Sequence, residues 1–320
     1  MLAARHVQMG MVSTGHDQDL CRGLCDLLEQ EVRLGAAVGG GSLHQARELL
    51  LANGERLFLK LGPAEGQPML IAEREGLEAL AAAVDPAMPL VIPTVRACAL
   101  VAARAVLVSD WLPLARSTSR ADGDQGWHAL GVALARLHRR SAEDPAAMGG
   151  TGDFGWDQDN WIGAAPQRNR WCTDWATFFR ESRLAPQLAW AARQGRPFTG
   201  SEALLAGVAD WLDGHQPVAS LVHGDLWAGN AGLLADGRGT IFDPAVHWAD
   251  REVDLAMAAL FGGVPPAFFQ GYDATWPRPV GHRQRQELYN VYHLLNHANL
   301  FGGAYQSQAQ ATIRHLLERR

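Results

Sequence analysis

Leu20, Leu24, Leu27 and Leu28 recur at helical spacing, which predicts an amphipathic helix over residues 17–33. Gly35 and then Gly39-Gly40-Gly41-Ser42 interrupt the chain. Two strand-like runs follow at 43–52 and 55–61, joined by Asn53-Gly54. Asn-Gly between apolar runs signals a hairpin, because both central turn residues take positive φ. Residues 70–84, rich in Ala, Leu and Glu, read as a helix. Pro86, Pro89 and Pro93 mark a loop, and the apolar run 99–108 reads as one or two buried strands broken near Ala103-Arg104.

Beyond about residue 115 the pattern is mostly helical. A helix over 124–140 ends in cationic residues, as the helix dipole favours. Residues 148–170 are irregular and rich in Gly, Asp, Asn and Trp. Helices follow near 172–193 and 201–213, then a short β-rich patch over 219–243, then helix to the C-terminus.

The 320 residues are 48% hydrophobic and 19% charged, which suits a folded chain and excludes disorder. The net charge of −6 leaves no basic excess for a nucleic-acid backbone. Cys21, Cys25, Cys98 and Cys172 make neither a disulfide framework nor a zinc pattern. No apolar run reaches the ~18 residues a bilayer span needs, so a soluble, cytoplasmic protein is expected, with no membrane partner. Of 28 basic side chains, 27 are Arg, and the single Lys is Lys60.

Chemistry concentrates in residues 221–245. An apolar entry leads into His223-Gly224-Asp225, Asn230 lies five residues on, and Asp243 closes the second of two short runs joined by Asp236-Gly237. Phosphoryl transfer needs such a set: one carboxylate to accept the attacking hydroxyl's proton, and an amide oxygen and a second carboxylate to hold a metal. A hairpin between Asn230 and Asp243 lets them converge on one ion, and hard oxygen ligands suit Mg²⁺.

His-Gly-Asp-x-x-x-x-Asn followed by a strand ending in Asp resembles the catalytic and metal-binding loops of the protein-kinase-like fold, in its small-molecule branch. The resemblance implies Asp225 as catalytic base, Asn230 and Asp243 as Mg²⁺ ligands, and His223 as a brace of the loop. It also implies a cation on the ATP phosphates, paired with a helical carboxylate. Lys60, at the end of an apolar strand where an unpaired charge would be costly, fills the first role. Among Glu73, Glu75 and Glu78, Glu73 shares a helix face with Leu77 and Leu80 and fills the second. Gly40, Gly41 and Ser42 would bring backbone N–H groups to a phosphate. Asp110-Trp111-Leu112 looks like the hinge that meets adenine, with Asp110 and Leu112 in the ATP site.

A more specific resemblance lies in residues 154–188. Gly155, Trp156, Asn160, Ile162, Gly163, Pro166, Gln167, Asn169, Trp171, Trp175, Phe178, Phe179, Arg183 and Leu184 match the insert of the fructosamine/ketosamine 3-kinase family. Further matches run through His223–Asn230, Asp243-Pro-Ala, Arg251–Met257, Phe261-Gly-Gly263 and Leu295–Gly302. The Cys that many members carry in the Gly-rich loop is absent, so a redox switch there is not expected.

The resemblance implies an α+β, bilobal kinase-like fold. A small lobe with an antiparallel sheet and one helix would cover 1–110, and a mostly helical lobe 111–320, with ATP and Mg²⁺ as cosubstrate and cofactor. It implies phosphorylation of the 3-hydroxyl of free or protein-bound ketosamines, a deglycation repair, the alternatives being another small-molecule kinase of the aminoglycoside or choline type and a catalytically silent nucleotide-binding protein. Trp227, two residues after Asp225, could wall the acceptor site. Asn296 and His297 could add polar contacts, His297 being readable equally as a core histidine. The insert's tryptophans read as core, and Asp250 and Asp254 as anchors of the catalytic loop.

Overall fold

The computed structural model of the chain describes residues 15–39, 44–115 and 120–319. They divide into two compact units: residues up to Leu70 together with Val95–Trp111, and Ile71–Thr94 together with Leu112 onward. The grouping follows the expected 1–110 and 111–320 except that residues 71–94 go with the second unit. Helix α2 (Gln67–Ala83) explains why. Its Leu70 packs with Ala105 and Leu107 of the first unit, whereas Leu80 and Ala83 belong to the core of the second.

The first unit is helix α1 (Gly15–Leu28) on a five-stranded antiparallel sheet of order β1-β2-β3-β6-β5. The strands are β1 (Val32–Val38), β2 (Gln45–Leu51), β3 (Arg56–Pro63), β5 (Val95–Val101) and β6 (Arg104–Asp110). Alternation puts Leu57, Leu59 and Leu61 on one face, where they bury against Leu49, Leu51, Val106, Val108 and the α1 residues Leu20 and Leu24. The predicted hairpin at Asn53-Gly54 is present, with Gly54 at φ 85°. The run 99–108 is two strands, joined through Ala102 and Ala103, both at positive φ. The predicted 17–33 helix stops at Leu28, and Glu29 turns at φ 54° into β1. Pairing of Val32–Val38 with β2 overrides the helical pattern there.

The second unit has short β4 (Leu90–Val91) and long α3 (Arg120–Glu143), then the hairpin β7 (Asn160–Ile162) and β8 (Ala165–Gln167). Helix α4 (Trp175–Phe178) runs through a π turn at Phe179–Leu184 into α5 (Ala185–Arg193), followed by α6 (Ser201–Trp211). Then come β9 (Ala219–Val222), β10 (Ala231–Leu233), β11 (Gly239–Ile241) and β12 (His247–Asp250). Four helices complete it: α7 (Glu252–Leu260), α8 (Pro266–Thr275), α9 (His282–Phe301) and α10 (Ala304–Glu318). Trp175 is buried, and Trp156 and Trp171 pack on the same core, as read from the sequence, whereas Trp161 is half-buried and outside that core. Helices α3 and α8 approach so closely that a Cβ on Gly131 would lie 1.9 Å from the Phe268 carbonyl oxygen. This contact carries His138 of α3 to Tyr272 of α8, with 2.9 Å from Nδ1 to the hydroxyl. Among the described residues no helix is long and apolar enough to cross a membrane.

Candidate active site

The loop between β9 and β10 carries the predicted catalytic residues. β9 pairs antiparallel with β12, and β10 with β11, so 223–230 and 242–246 leave adjoining strands side by side. The β10–β11 turn is the expected Asp236-Gly237, with Gly237 at φ 84°.

Asp225, Asn230 and Asp243 do converge. Asn230 Nδ2 donates to Asp225 Oδ2 at 3.0 Å, to the Asp225 carbonyl at 2.9 Å and to the Asp243 carbonyl at 3.5 Å. Asp225 is pushed up to about 7, first by burial and then by the Asp243 charge, with the Asn230 hydrogen bond pulling partly back. Two carboxylates close enough to repel are hard oxygen donors of the kind Mg²⁺ takes, and Asn230 adjoins them.

The loop is fixed from behind. Asp254, at the start of α7, accepts the N–H groups of His223 at 2.7 Å and Gly224 at 2.8 Å, and contacts His138 Nε2 at 3.2 Å. Burial alone would raise its carboxyl, but His138, His223 and the Gly224 N–H hold it below the usual range. Asp225 N–H donates to His223 Nδ1 at 3.3 Å, so the imidazole proton sits on Nε2 and is given to the Phe242 carbonyl at 2.9 Å. Burial lowers His223, keeping it neutral, and it ties the loop to the strand that ends in Asp243. Gly224 stands at φ 82°, and a Cβ there would lie 2.0 Å from the Ala245 carbonyl oxygen, so only glycine fits. Asp250 anchors differently from Asp254. It binds His215 Nε2 at 2.7 Å, the Tyr289 hydroxyl at 2.6 Å and Glu252 N–H at 3.0 Å, and does not bond the loop.

Trp227 is 36% exposed, and its indole lies over Gly229, where a Cβ would come within 2.3 Å of the ring. Phe261 packs edge-on to Trp227 at 6.2 Å and also meets His297 at 4.7 Å. Trp227 and His297 thus belong to one aromatic cluster beside the catalytic loop. Half-buried His297 spends Nδ1 on the His293 carbonyl at 2.9 Å. Asn296 does not join them. It is buried, accepting from Gln187 Nε2 at 3.1 Å and donating to the Ile162 carbonyl at 3.4 Å. Both ends of its amide are taken by interior partners, Gln187 on α5 and Ile162 on β7, so it does not share the Trp227 cluster expected of a sugar contact.

The remaining predicted residues lie elsewhere. In the first unit Lys60 is central in the sheet, opposite Ala46 on β2 and Leu107 on β6, on the face away from α1. Asp110 ends β6, where it pairs with Leu57 of β3, and its carboxylate holds Arg96 Nε at 2.8 Å. In the second unit Glu73 lies in the first turns of α2, and Glu75 and Glu78 are engaged by Arg74. The Leu112 carbonyl accepts from Leu114, and Ala115 N–H bonds Leu233 O on β10. Gly40, Gly41 and Ser42 lie outside the described residues.

Sequence reading missed His138, and it named Asn160 and Gln167 only as matches of the insert, without their contacts to the backbone after Asp243. Asn160 and Gln167 face each other on β7 and β8 as buried polar residues among apolar ones, the one local hint available.

The chain is similar to known proteins over nearly its whole length. A family profile described as fructosamine kinase matches residues 25–319. A ketoamine kinase of Synechocystis, designated probable, is 42% identical over 282 residues, covering 88% of this chain and 89% of the relative. A crystal structure from Haemophilus somnus, provisionally named a fructosamine-3-kinase, superposes with a TM-score of 0.81 at 25% identity, over 95% of this chain and 100% of that one. One from Thermobifida fusca, also provisionally named, gives 0.78 at 29% identity, over 94% and 99%.

Proposed function

Because the chain belongs to the fructosamine kinase family and has its α+β kinase-like fold, we propose that it transfers the γ-phosphoryl group of ATP to the 3-hydroxyl of ketosamines. The observation that carries this reading is the pairing of Asp225 with Asn230 beside Asp243, on a loop whose backbone Asp254 holds.

In this reading Asp225 accepts the proton of the sugar hydroxyl as that oxygen attacks phosphorus. A carboxylate raised to about 7 suits a base near neutral pH. The Asn230 N–H keeps Oδ2 oriented. The Asn230 amide oxygen and the Asp243 carboxylate would hold Mg²⁺, which supplies positive charge against the phosphates. Lys60 would bind the α- and β-phosphates. The backbone from Asp110 to Leu112 would meet adenine. The Trp227 face, with His297 near it, would stack on the sugar. The 3-phosphate products of this family break down and release the amine, which makes deglycation repair the proposed role, in the cytoplasm.

The test is a panel of fructosyl-, ribulosyl- and erythrulosyl-amines beside kanamycin and choline, read by ADP release. ADP release with ketosamines supports the reading. Release with kanamycin or choline alone overturns it in favour of another small-molecule kinase.

A further inference from the structure

Asp243 has φ 57°, a left-handed conformation that a residue with a side chain keeps only when its neighbours hold it. Upstream, Phe242 N–H donates to the Asn230 carbonyl at 3.0 Å, and the Phe242 carbonyl accepts from His223. Downstream, Ala245 N–H donates to the His223 carbonyl at 2.8 Å. The next two carbonyls are taken by the insert. Gln167 Nε2 donates to Ala245 O at 3.1 Å, and Asn160 Nδ2 donates to Val246 O at 2.8 Å.

Both amides are buried and held in turn. Gln167 Nε2 also donates to Asn160 Oδ1 at 2.9 Å, and Tyr292 on α9 donates its hydroxyl proton to Gln167 Oε1 at 2.8 Å. Asn169 Nδ2 donates to Asn160 Oδ1 at 2.8 Å. A buried amide hydrogen-bonded through both its nitrogen and its oxygen cannot rotate without leaving polar groups unpaired. These residues are among those that mark the insert in the sequence, yet they face the backbone after Asp243 and leave no amide free for a sugar.

We propose that Asn160 and Gln167 are positioning residues for Asp243, and that the 160–169 insert is a fixed clamp on the segment that follows it. Kinase-fold enzymes with a mobile segment at this place are switched by ordering it. Here side chains of the same chain order it, so the protein is competent without modification. The inference rests on the reading of Asp243 as a metal ligand.

The test uses the full chain with Gln167→Met and Asn160→Ser, and with Asp157→Asn, exposed on the same insert, as control. Mn²⁺ binding in the presence of ADP is read by electron paramagnetic resonance, and kcat and KM by ADP release. The expected result is Mn²⁺ affinity and kcat lowered about tenfold in both clamp variants, the scale typical of residues that orient metal ligands, with acceptor KM within about twofold and the control unchanged. If Gln167→Met does not fold, Gln167→Asn, which withdraws the amide by one methylene, takes its place. Folded clamp variants that bind Mn²⁺ like wild type overturn the proposal. So does a raised acceptor KM at unchanged Mn²⁺ affinity, which would assign the insert to substrate recognition. Wild-type protein that binds Mn²⁺ and nucleotide but phosphorylates no ketosamine removes the acceptor assignment and leaves the clamp standing.

Discussion

Asp225→Asn separates the catalytic demand on this carboxylate from its effect on stability. Asn keeps the shape and an oxygen that can accept from Asn230 Nδ2, while removing the charge that burial and Asp243 oppose. The wild-type group titrates at about 7 when folded and near 3.8 when unfolded. Its folded pKa is raised, so its contribution to stability is fully present below pH ~4 and is lost as pH rises toward ~7. A gap of about three pH units at about 1.4 kcal/mol per unit gives about 4 kcal/mol, which partial solvent access to this half-buried group reduces toward about 2. The variant should therefore gain about 2–4 kcal/mol relative to wild type between pH 5 and pH 8, while kcat drops at least about 100-fold. Urea denaturation without metal at several pH values measures the first, and ADP release the second. Adding Mg²⁺ with a non-hydrolysable ATP analogue should shrink the wild-type decline. A stability difference that does not vary with pH, or one favouring wild type at pH 8, refutes the reasoning.

Other outcomes follow from the same geometry. Gly224→Ala forces a Cβ onto the Ala245 carbonyl at positive φ, and should cost at least about 2 kcal/mol in thermal or urea unfolding together with most activity. Asp254→Asn weakens the acceptor for two loop N–H groups and the His138 contact; a loss of about 2 kcal/mol with kcat lowered at least about tenfold is expected from unfolding and initial-rate assays. Trp227→Ala should raise acceptor KM about tenfold at unchanged KM for ATP in steady-state kinetics. Lys60→Arg should weaken ATP binding measured by calorimetry, since a guanidinium does not replace a compact ammonium; equal affinity returns the lone lysine to an accident of composition.

What could be read from the chain alone was local. Asn53-Gly54 and Asp236-Gly237 announce their hairpins because the turn chemistry lies in two adjacent residues. The spacing of Asp225, Asn230 and Asp243 announces their convergence because one short hairpin joins them. What was missed is distant in sequence. His138 reaches Asp254 across 116 residues, and Gln167 reaches Ala245 across 78. Asn296 looked like a sugar contact because polar residues cluster near it, yet its partners Gln187 and Ile162 lie 109 and 134 residues away. The 71–94 segment was assigned by chain order, whereas its packing on the second unit depends on contacts such as Gly76 against Pro244 and Val246. β1 was hidden because its pattern continues that of α1, and only pairing with β2 distinguishes them.

The central claim is a phosphoryl transfer to one hydroxyl with Asp225 as base. Its most direct test is nuclear magnetic resonance of the product formed from fructosyl-lysine, ATP and Mg²⁺, with wild type and Asp225→Ala in parallel. The account predicts a phosphate coupled to carbon 3 of the sugar, formed one for one with ADP, and at least about 100-fold slower formation in the variant. A phosphate on another position, or near-normal turnover by Asp225→Ala, contradicts it.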